Sequence, residues 1–165
     1  MDVSGMTKDF DASRELAGRL RRAVAGPMWH GPSIDELLPR FTHETALQHP
    51  IADAHSAWEL VLHMTAWAFF GIARLSGDAT FDLSPAQDFP QQPDVATEAD
   101  WVAVGHALRS AYAELSAIAR ALPPSALIGP LENRDYNVVT MLNGVVEHAT
   151  YHGGQLALLA RALQK

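Results

Sequence analysis

No cysteine occurs in the 165 residues. That absence excludes disulfides, thiolate metal sites and a protein-borne thiol nucleophile, so any metal ion would have to be held by His, Asp or Glu. It also suits a reducing compartment, and a cytoplasmic location is the expectation. Basic residues are scarce: 12 Lys and Arg stand against 19 Asp and Glu, a formal net charge of −7. This balance argues against a sequence-independent grip on DNA or RNA, which needs clustered cations to neutralise phosphates. The one basic cluster, Arg14, Arg19, Arg21 and Arg22, falls on a helical pattern and reads as solvated surface. The first residues, Met1 to Asp9, lack the apolar core of a signal peptide. No uninterrupted apolar run reaches the roughly 18 residues of a membrane span. The nearest, Trp58 to Leu75, is broken by His63 and Arg74, so no membrane partner is expected. A Gly-x-Ser-x-Gly elbow, a phosphate-binding glycine loop and a paired-carboxylate site are likewise missing, which leaves serine-triad and nucleotide chemistry without support.

What is present suits one globular domain over residues 1–165: 48 % hydrophobic and 19 % charged residues are ordinary values. A chain of this length buries about 70 % of its unfolded surface. Apolar periodicity of three and four predicts four long helices and no convincing strand. The first runs from about Asp9 to Ala25, with Leu16, Leu20 and Val24 on one face and Gly26-Pro27 as its stop. A Pro- and His-rich connector follows. In it, Ser33-Ile-Asp-Glu36 is a capping box that predicts a short helix ended before Pro39, and Thr42–Leu47 predicts a second turn. The second long helix opens at the box Ser56-Ala-Trp-Glu59 and runs to about Ser76-Gly77. Residues 78–96 hold three prolines and no periodicity, which predicts an ordered loop packed through Phe81, Leu83 and Phe89. The third helix spans Thr97 to Leu122, where Pro123-Pro124 forbids continuation. The fourth spans about Asn137 to Ala162. The expected fold is an all-α four-helix bundle whose long first and second connections make it other than simple up-down-up-down.

The most informative stretch is His148-Ala-Thr-Tyr-His152-Gly-Gly-Gln155. Helical i,i+4 spacing puts both imidazoles on one face, roughly 5–6 Å apart at Cβ, close enough for one divalent ion to take a nitrogen from each. His152 shares a seam with Leu142, Val145, Leu156 and Leu159 and is expected to point inward. A third candidate, His63, sits mid-way along the apolar second helix. Three histidines from two helices would leave an open coordination position, as in catalytic rather than structural sites. The bland alternative is three satisfied core histidines, since eight His in the chain give i,i+4 pairs by chance. Glu59, one turn before His63, is a candidate carboxylate for orienting its ring, although the capping box already accounts for it. Trp67, on the His63 face, and His30, beside Trp29 in the connector, are candidate pocket residues. Tyr151 and Gln155 flank the second histidine. Gly153-Gly154 costs about 1 kcal/mol per residue against alanine, which predicts a close approach by a ligand or a neighbouring helix.

His-x-x-x-His followed by x-Gly-Gln, with Tyr before the second His, resembles the last helix of the DinB/YfiT-like superfamily: here His148, Tyr151, His152, Gly154 and Gln155. Ser56-Ala-Trp-Glu-Leu-Val-Leu-His63-Met-Thr-Ala-Trp67 resembles the family's helix with its first metal histidine. The resemblance covers essentially the whole chain. It implies a four-helix bundle binding a divalent metal, zinc or nickel, through His63, His148 and His152. It also implies a frequent homodimer and a small-molecule substrate. Relatives include transferases and isomerases that use low-molecular-weight thiols, and others described only as metal-dependent hydrolases or damage-inducible proteins. The position after the first His of the pair is often polar in relatives and is Ala149 here, so no role carries over to that side chain.

With no cysteine of its own, the protein would need an exogenous low-molecular-weight thiol for thiol transfer, or water for hydrolysis. Two other readings stay open: a metal-binding stress-response protein without turnover, and a purely structural dimeric bundle. Metal stoichiometry separates the last from the others.

Overall fold

The computed structural model describes residues 11–164; the expected helical residues Asp9 and Phe10 lie outside them. The described chain is all-α. Its elements are α1 (Ala12–Ala25), α2 (Ile34–Leu37), a 3-10 turn (Leu38–Arg40), α3 (His43–Ala46), α4 (Ala57–Leu75), α5 (Pro85–Asp88), α6 (Glu98–Ala121), α7 (Pro124–Leu127) and α8 (Val138–Ala162). Among the described residues there is no strand, and an isolated bridge pairs Pro130 with Asn137. No described helix is long and apolar enough to cross a membrane.

The helix starts follow local chemistry. Ser56 Oγ accepts from the Glu59 amide at 3.1 Å and the Glu59 carboxylate accepts from the Ser56 amide at 2.9 Å, so two otherwise orphaned donors at the head of α4 are satisfied reciprocally. Asp11, Thr97 and Asn137 cap α1, α6 and α8 through side-chain oxygens. Gly26 ends α1 with a φ of 67°, a value that β-carbon-bearing residues adopt only with strain. The α2 segment ends at Leu37 as expected, but the chain continues through Pro39 as a 3-10 turn, which tolerates proline at its start. Two short helices, α5 and α7, fall between the expected long helices, α5 within the segment expected to be a loop. Each begins with proline at its first position, where the missing N–H costs nothing.

The four long helices share a core. Leu20 of α1, Leu60 and Met64 of α4, Leu108, Tyr112 and Leu115 of α6, and Leu142 and Leu156 of α8 are all fully buried in it. Helix α1 packs on α6 and α8, and α4 packs on the same two. Ser13 Oγ donates to the Leu122 carbonyl at 2.7 Å and Ser116 Oγ to the Ala17 carbonyl at 2.8 Å, so α1 and α6 run antiparallel. Trp58 and Trp101, near the starts of α4 and α6, lie 5.4 Å apart, which makes that pair parallel. The close approach of α4 to α6 occurs at Gly71, where a β-carbon would sit 3.1 Å from both Leu115 methyls. From the basic cluster on α1, Arg19 reaches across to the Asn143 side chain of α8 at 2.5 Å and Arg22 pairs with Glu15 at 3.0 Å. Arg74 is buried, its guanidinium donating to the Ala79 and Glu132 carbonyls and lying over the Phe70 ring. It ties the 78–96 segment and the loop before α8 to the end of α4.

Candidate metal centre

His63 from α4 and His148 and His152 from α8 meet where these two helices face each other. The helical register does this directly: His148 and His152 are one turn apart on α8, and His63 lies opposite them on α4. Nε2 of His148 is 2.8 Å from Nε2 of His63 and 3.0 Å from Nε2 of His152. All three ligand atoms lie within 4.8 Å of one another, a grouping that could hold a metal ion. His63 and His152 are buried and His148 is half-buried.

The other ring nitrogens decide what this convergence means. His63 Nδ1 lies 2.6 Å from the Asp88 carbonyl oxygen, an acceptor only, so Nδ1 carries the proton and Nε2 presents its lone pair. His152 Nδ1 lies 2.6 Å from Gln155 Oε1, which fixes the same tautomer there. Two lone pairs are therefore aimed into one small volume. A single proton on His148 Nε2 would answer one of them well, not both, and His148 Nδ1 is buried without a partner. A cation answers all three nitrogens at once. Tetrahedral zinc at about 2.0–2.1 Å from each nitrogen needs N···N separations of about 3.3 Å. The observed 2.8 and 3.0 Å are within about 0.5 Å of that, and the third separation is no more than 4.8 Å. The residues fit a divalent ion.

Electrostatics agree. Burial pushes the pKa of all three histidines below the ordinary imidazole value. His148 is pushed down to about 3, by burial first and then by the neighbouring His152 and His63. Each ring is neutral at pH 7, the protonation state a metal ligand requires. The set contributes no negative charge, so a bound divalent ion would keep more of its Lewis acidity than it would with thiolate or carboxylate ligands.

The supporting residues differ in part from the sequence expectation. Glu59 does not reach His63; its carboxylate is held by the Ser56 amide, His49 Nε2 at 3.2 Å and His55 Nδ1 at 3.1 Å. The carboxylate beside His63 belongs to Asp88, whose Oδ1 is 3.1 Å from Nδ1 and accepts from Trp67 Nε1 at 2.8 Å. Phe89, next in the chain, stacks on the His63 ring at 3.8 Å and on the His55 ring at 4.1 Å. Neither Asp88 nor Phe89 was a candidate ligand partner from sequence. The signal that places them is the S-x-x-Q box Ser84-Pro-Ala-Gln87, in which Gln87 Oε1 accepts from both the amide and the hydroxyl of Ser84 at the start of α5. Gln155 sits on His152, and Trp67 lies 5.6 Å from the His148 ring. Tyr151 is 65 % exposed and touches His152 only edge to face. His30 is exposed in the connector and lies outside the three-histidine group.

Gly153 and Gly154 do not mark a close approach. A β-carbon at Gly153 would make ordinary contact with Ile34 at 3.6 Å, and one at Gly154 would meet nothing within 4 Å. The expectation failed because Gly154 lies on the outward stripe of α8, where no neighbour packs.

The family model for the DinB superfamily matches residues 30–156. This span runs from the first connector through the last histidine and holds every residue of the centre. The chain belongs to the DinB superfamily. Comparison with curated proteins and with solved structures returned no match. In this DinB-superfamily chain His63, His148 and His152 lie close together in a grouping compatible with a metal site, and Asp88 and Gln155 fix two of the three tautomers.

Proposed function

We propose that the protein is a metalloenzyme in which His63, His148 and His152 hold one divalent metal ion, zinc or nickel. We propose further that it acts on a small molecule as a hydrolase or, with an exogenous low-molecular-weight thiol, as an S-transferase. The observation that carries the reading is the convergence of the three Nε2 atoms, two of them in tautomers that leave lone pairs facing inward. Three neutral protein ligands leave coordination positions free for a water or a substrate.

When bound, the ion supplies Lewis acidity, lowering the pKa of water or a thiol enough to give a nucleophile near neutral pH. The chain's own groups do the rest. Asp88 holds the Nδ1 proton of His63 through its carbonyl and carboxylate, and Gln155 holds that of His152; both keep the rings aimed and raise their basicity. Trp67 anchors the Asp88 carboxylate. Phe89 covers the His63 ring and excludes water from that side. The absence of cysteine means that a thiol nucleophile has to come from outside the chain.

The same reading takes the four long helices as a single-domain four-helix bundle with crossover connections. Supporting it, α1 and α4 lie on opposite sides of the core with α6 and α8 between them, so the first connection crosses the bundle, and α4 and α6 run parallel, so the second returns along its length. The opposing reading, a satisfied histidine core, is disfavoured because one proton on His148 Nε2 cannot serve both inward lone pairs of His63 and His152.

The test is turnover by metal-loaded protein of a neutral ester, and of a model electrophile with a small thiol, against the His152→Ala variant. Activity in the parent lost in a folded variant is the expected result. Equal activity in both would overturn the mechanism.

A further inference from the structure

A cleft of about 320 Å³ opens between α4 and the first half of α8, walled by Trp67, Phe70, Tyr136, Met141, Val145 and the His148 ring. We infer that it binds a small, neutral, ring-bearing molecule, lying against His148. Calling that molecule the substrate rests on the proposed metal chemistry; the binding itself does not.

Three observations carry the inference. First, the cleft has no charged side chain in its walls. Clefts elsewhere do: Arg19 and Arg22 line one, and Glu98 and Arg109 another. A charged ligand would lose its hydration in the apolar cleft without gaining a partner, whereas a neutral one would not. Second, Trp67 and Phe70 stand at 60° to each other with centroids 5.2 Å apart, so the walls offer both faces and edges to a flat ring. The volume is at the lower end for small-molecule sites, enough for a one- or two-ring molecule.

Third, Gly144 lines the cleft from inside α8, and a β-carbon there would meet nothing within 4 Å. Glycine is the poorest helix former after proline. At Gly71 the missing side chain is used by Leu115; at Gly144 no protein atom uses it. The space it leaves is part of the cleft.

The cleft also borders the proposed metal centre, with His148 common to both. Its His148 wall carries the Nε2 that lies 2.8 Å from His63 Nε2. Its Trp67 wall is the residue that anchors Asp88 on His63. A ring seated there touches one proposed ligand directly and the support of a second. Tyr136 supplies a hydroxyl within the same lining, and Thr140, whose Oγ1 donates to Asn137 Oδ1 at 2.8 Å, supplies a hydroxyl acceptor, together suited to a ligand with one polar edge.

The test uses 4-methylphenol with metal-free protein carrying labelled methionine methyls and tryptophan indoles, followed by NMR. Saturable shifts at the Met141 methyl and the Trp67 indole are expected. Gly144→Leu should weaken binding by about tenfold or more, the effect of overfilling a packed site. Gly154→Leu adds the same side chain to the same helix, outside the cleft, and should leave binding unchanged. Should Gly144→Leu fail to fold, Gly144→Ala fills part of the same space and should weaken the probe measurably. No saturable shift at Met141 and Trp67, or equal binding in parent and Gly144 variants, would overturn the inference. Metal uptake, measured separately on the same variants, should remain one equivalent, so failure of the cleft and failure of the metal reading give different results.

Discussion

The backbone carbonyl of Asp88 accepts a hydrogen bond from Nδ1 of His63 at 2.6 Å, across 25 residues of sequence. This contact sets the direction of the His63 lone pair, and the Asp88 carboxylate, held by Trp67, backs it at 3.1 Å. The aim of a proposed metal ligand on α4 thus depends on a four-residue helix in a proline-rich linker.

Asp88→Ala removes the carboxylate but keeps the carbonyl. The expected result is metal affinity reduced by about tenfold, with the fold retained, as for other orienting partners of metal-bound histidines. Calorimetric titration with zinc measures it; unchanged affinity would show that the carbonyl alone orients the ring.

Gln155→Ala should weaken metal binding by about 10–100-fold, because His152 Nδ1 then loses the acceptor that fixes its tautomer. Gln155→Glu, which retains an acceptor, should restore most of the loss. The same titration reads both.

Glu59→Ala separates a cap from a ligand partner. Its carboxylate serves the Ser56 amide, His49 and His55, so the variant should lose about 1 kcal/mol of stability, the scale of a lost helix cap. Metal affinity should not change. Chemical denaturation beside the zinc titration checks both halves.

Acid should destabilise the metal-free protein before carboxylates titrate. The unfolded chain protonates histidine near pH 6.5, whereas burial keeps the three folded rings neutral to lower pH, His148 down to about 3. Between those limits the unfolded state binds more protons, so stability rises with pH. The contribution is complete above about pH 6.5 and is lost as pH falls towards 3. Thermal melts from pH 7.5 to 5 should show a falling midpoint, with a shallower slope in His148→Leu. Equal slopes would contradict the burial argument.

The two glycines at 71 and 144 should respond oppositely to alanine. Gly144→Ala should add about 0.5–1 kcal/mol, since it meets no neighbour. Gly71→Ala should cost about 1 kcal/mol or more by forcing Leu115 away from its 3.1 Å approach. Melting midpoints on the two variants decide it.

What was legible in the sequence was what local chemistry controls. The long helices begin at Ser56, Thr97 and Asn137 because those side chains bond amides three residues on, and α6 ends where Pro123 and Pro124 stand. His63, His148 and His152 were legible as a group because helical spacing and apolar surroundings put them on inward faces. The rest depends on tertiary contacts or on a short local box in a proline-rich segment. Asp88 reaches His63 only once α5 is placed, although the box Ser84 to Gln87 announced that turn locally. Glu59 has the right spacing to reach His63, yet three nearer donors claim it. The paired glycines 153 and 154 carry a helix cost that sequence can count, but sequence cannot tell whether a neighbour fills the space.

The central claim is that three converging histidines hold one metal ion. Elemental mass spectrometry on untagged protein, with a His63→Ala/His148→Ala/His152→Ala variant alongside, tests it most directly. The account predicts one equivalent of zinc or nickel in the parent and none in a variant that still folds. No metal in the parent even after reconstitution, or one equivalent retained by the variant, would contradict it.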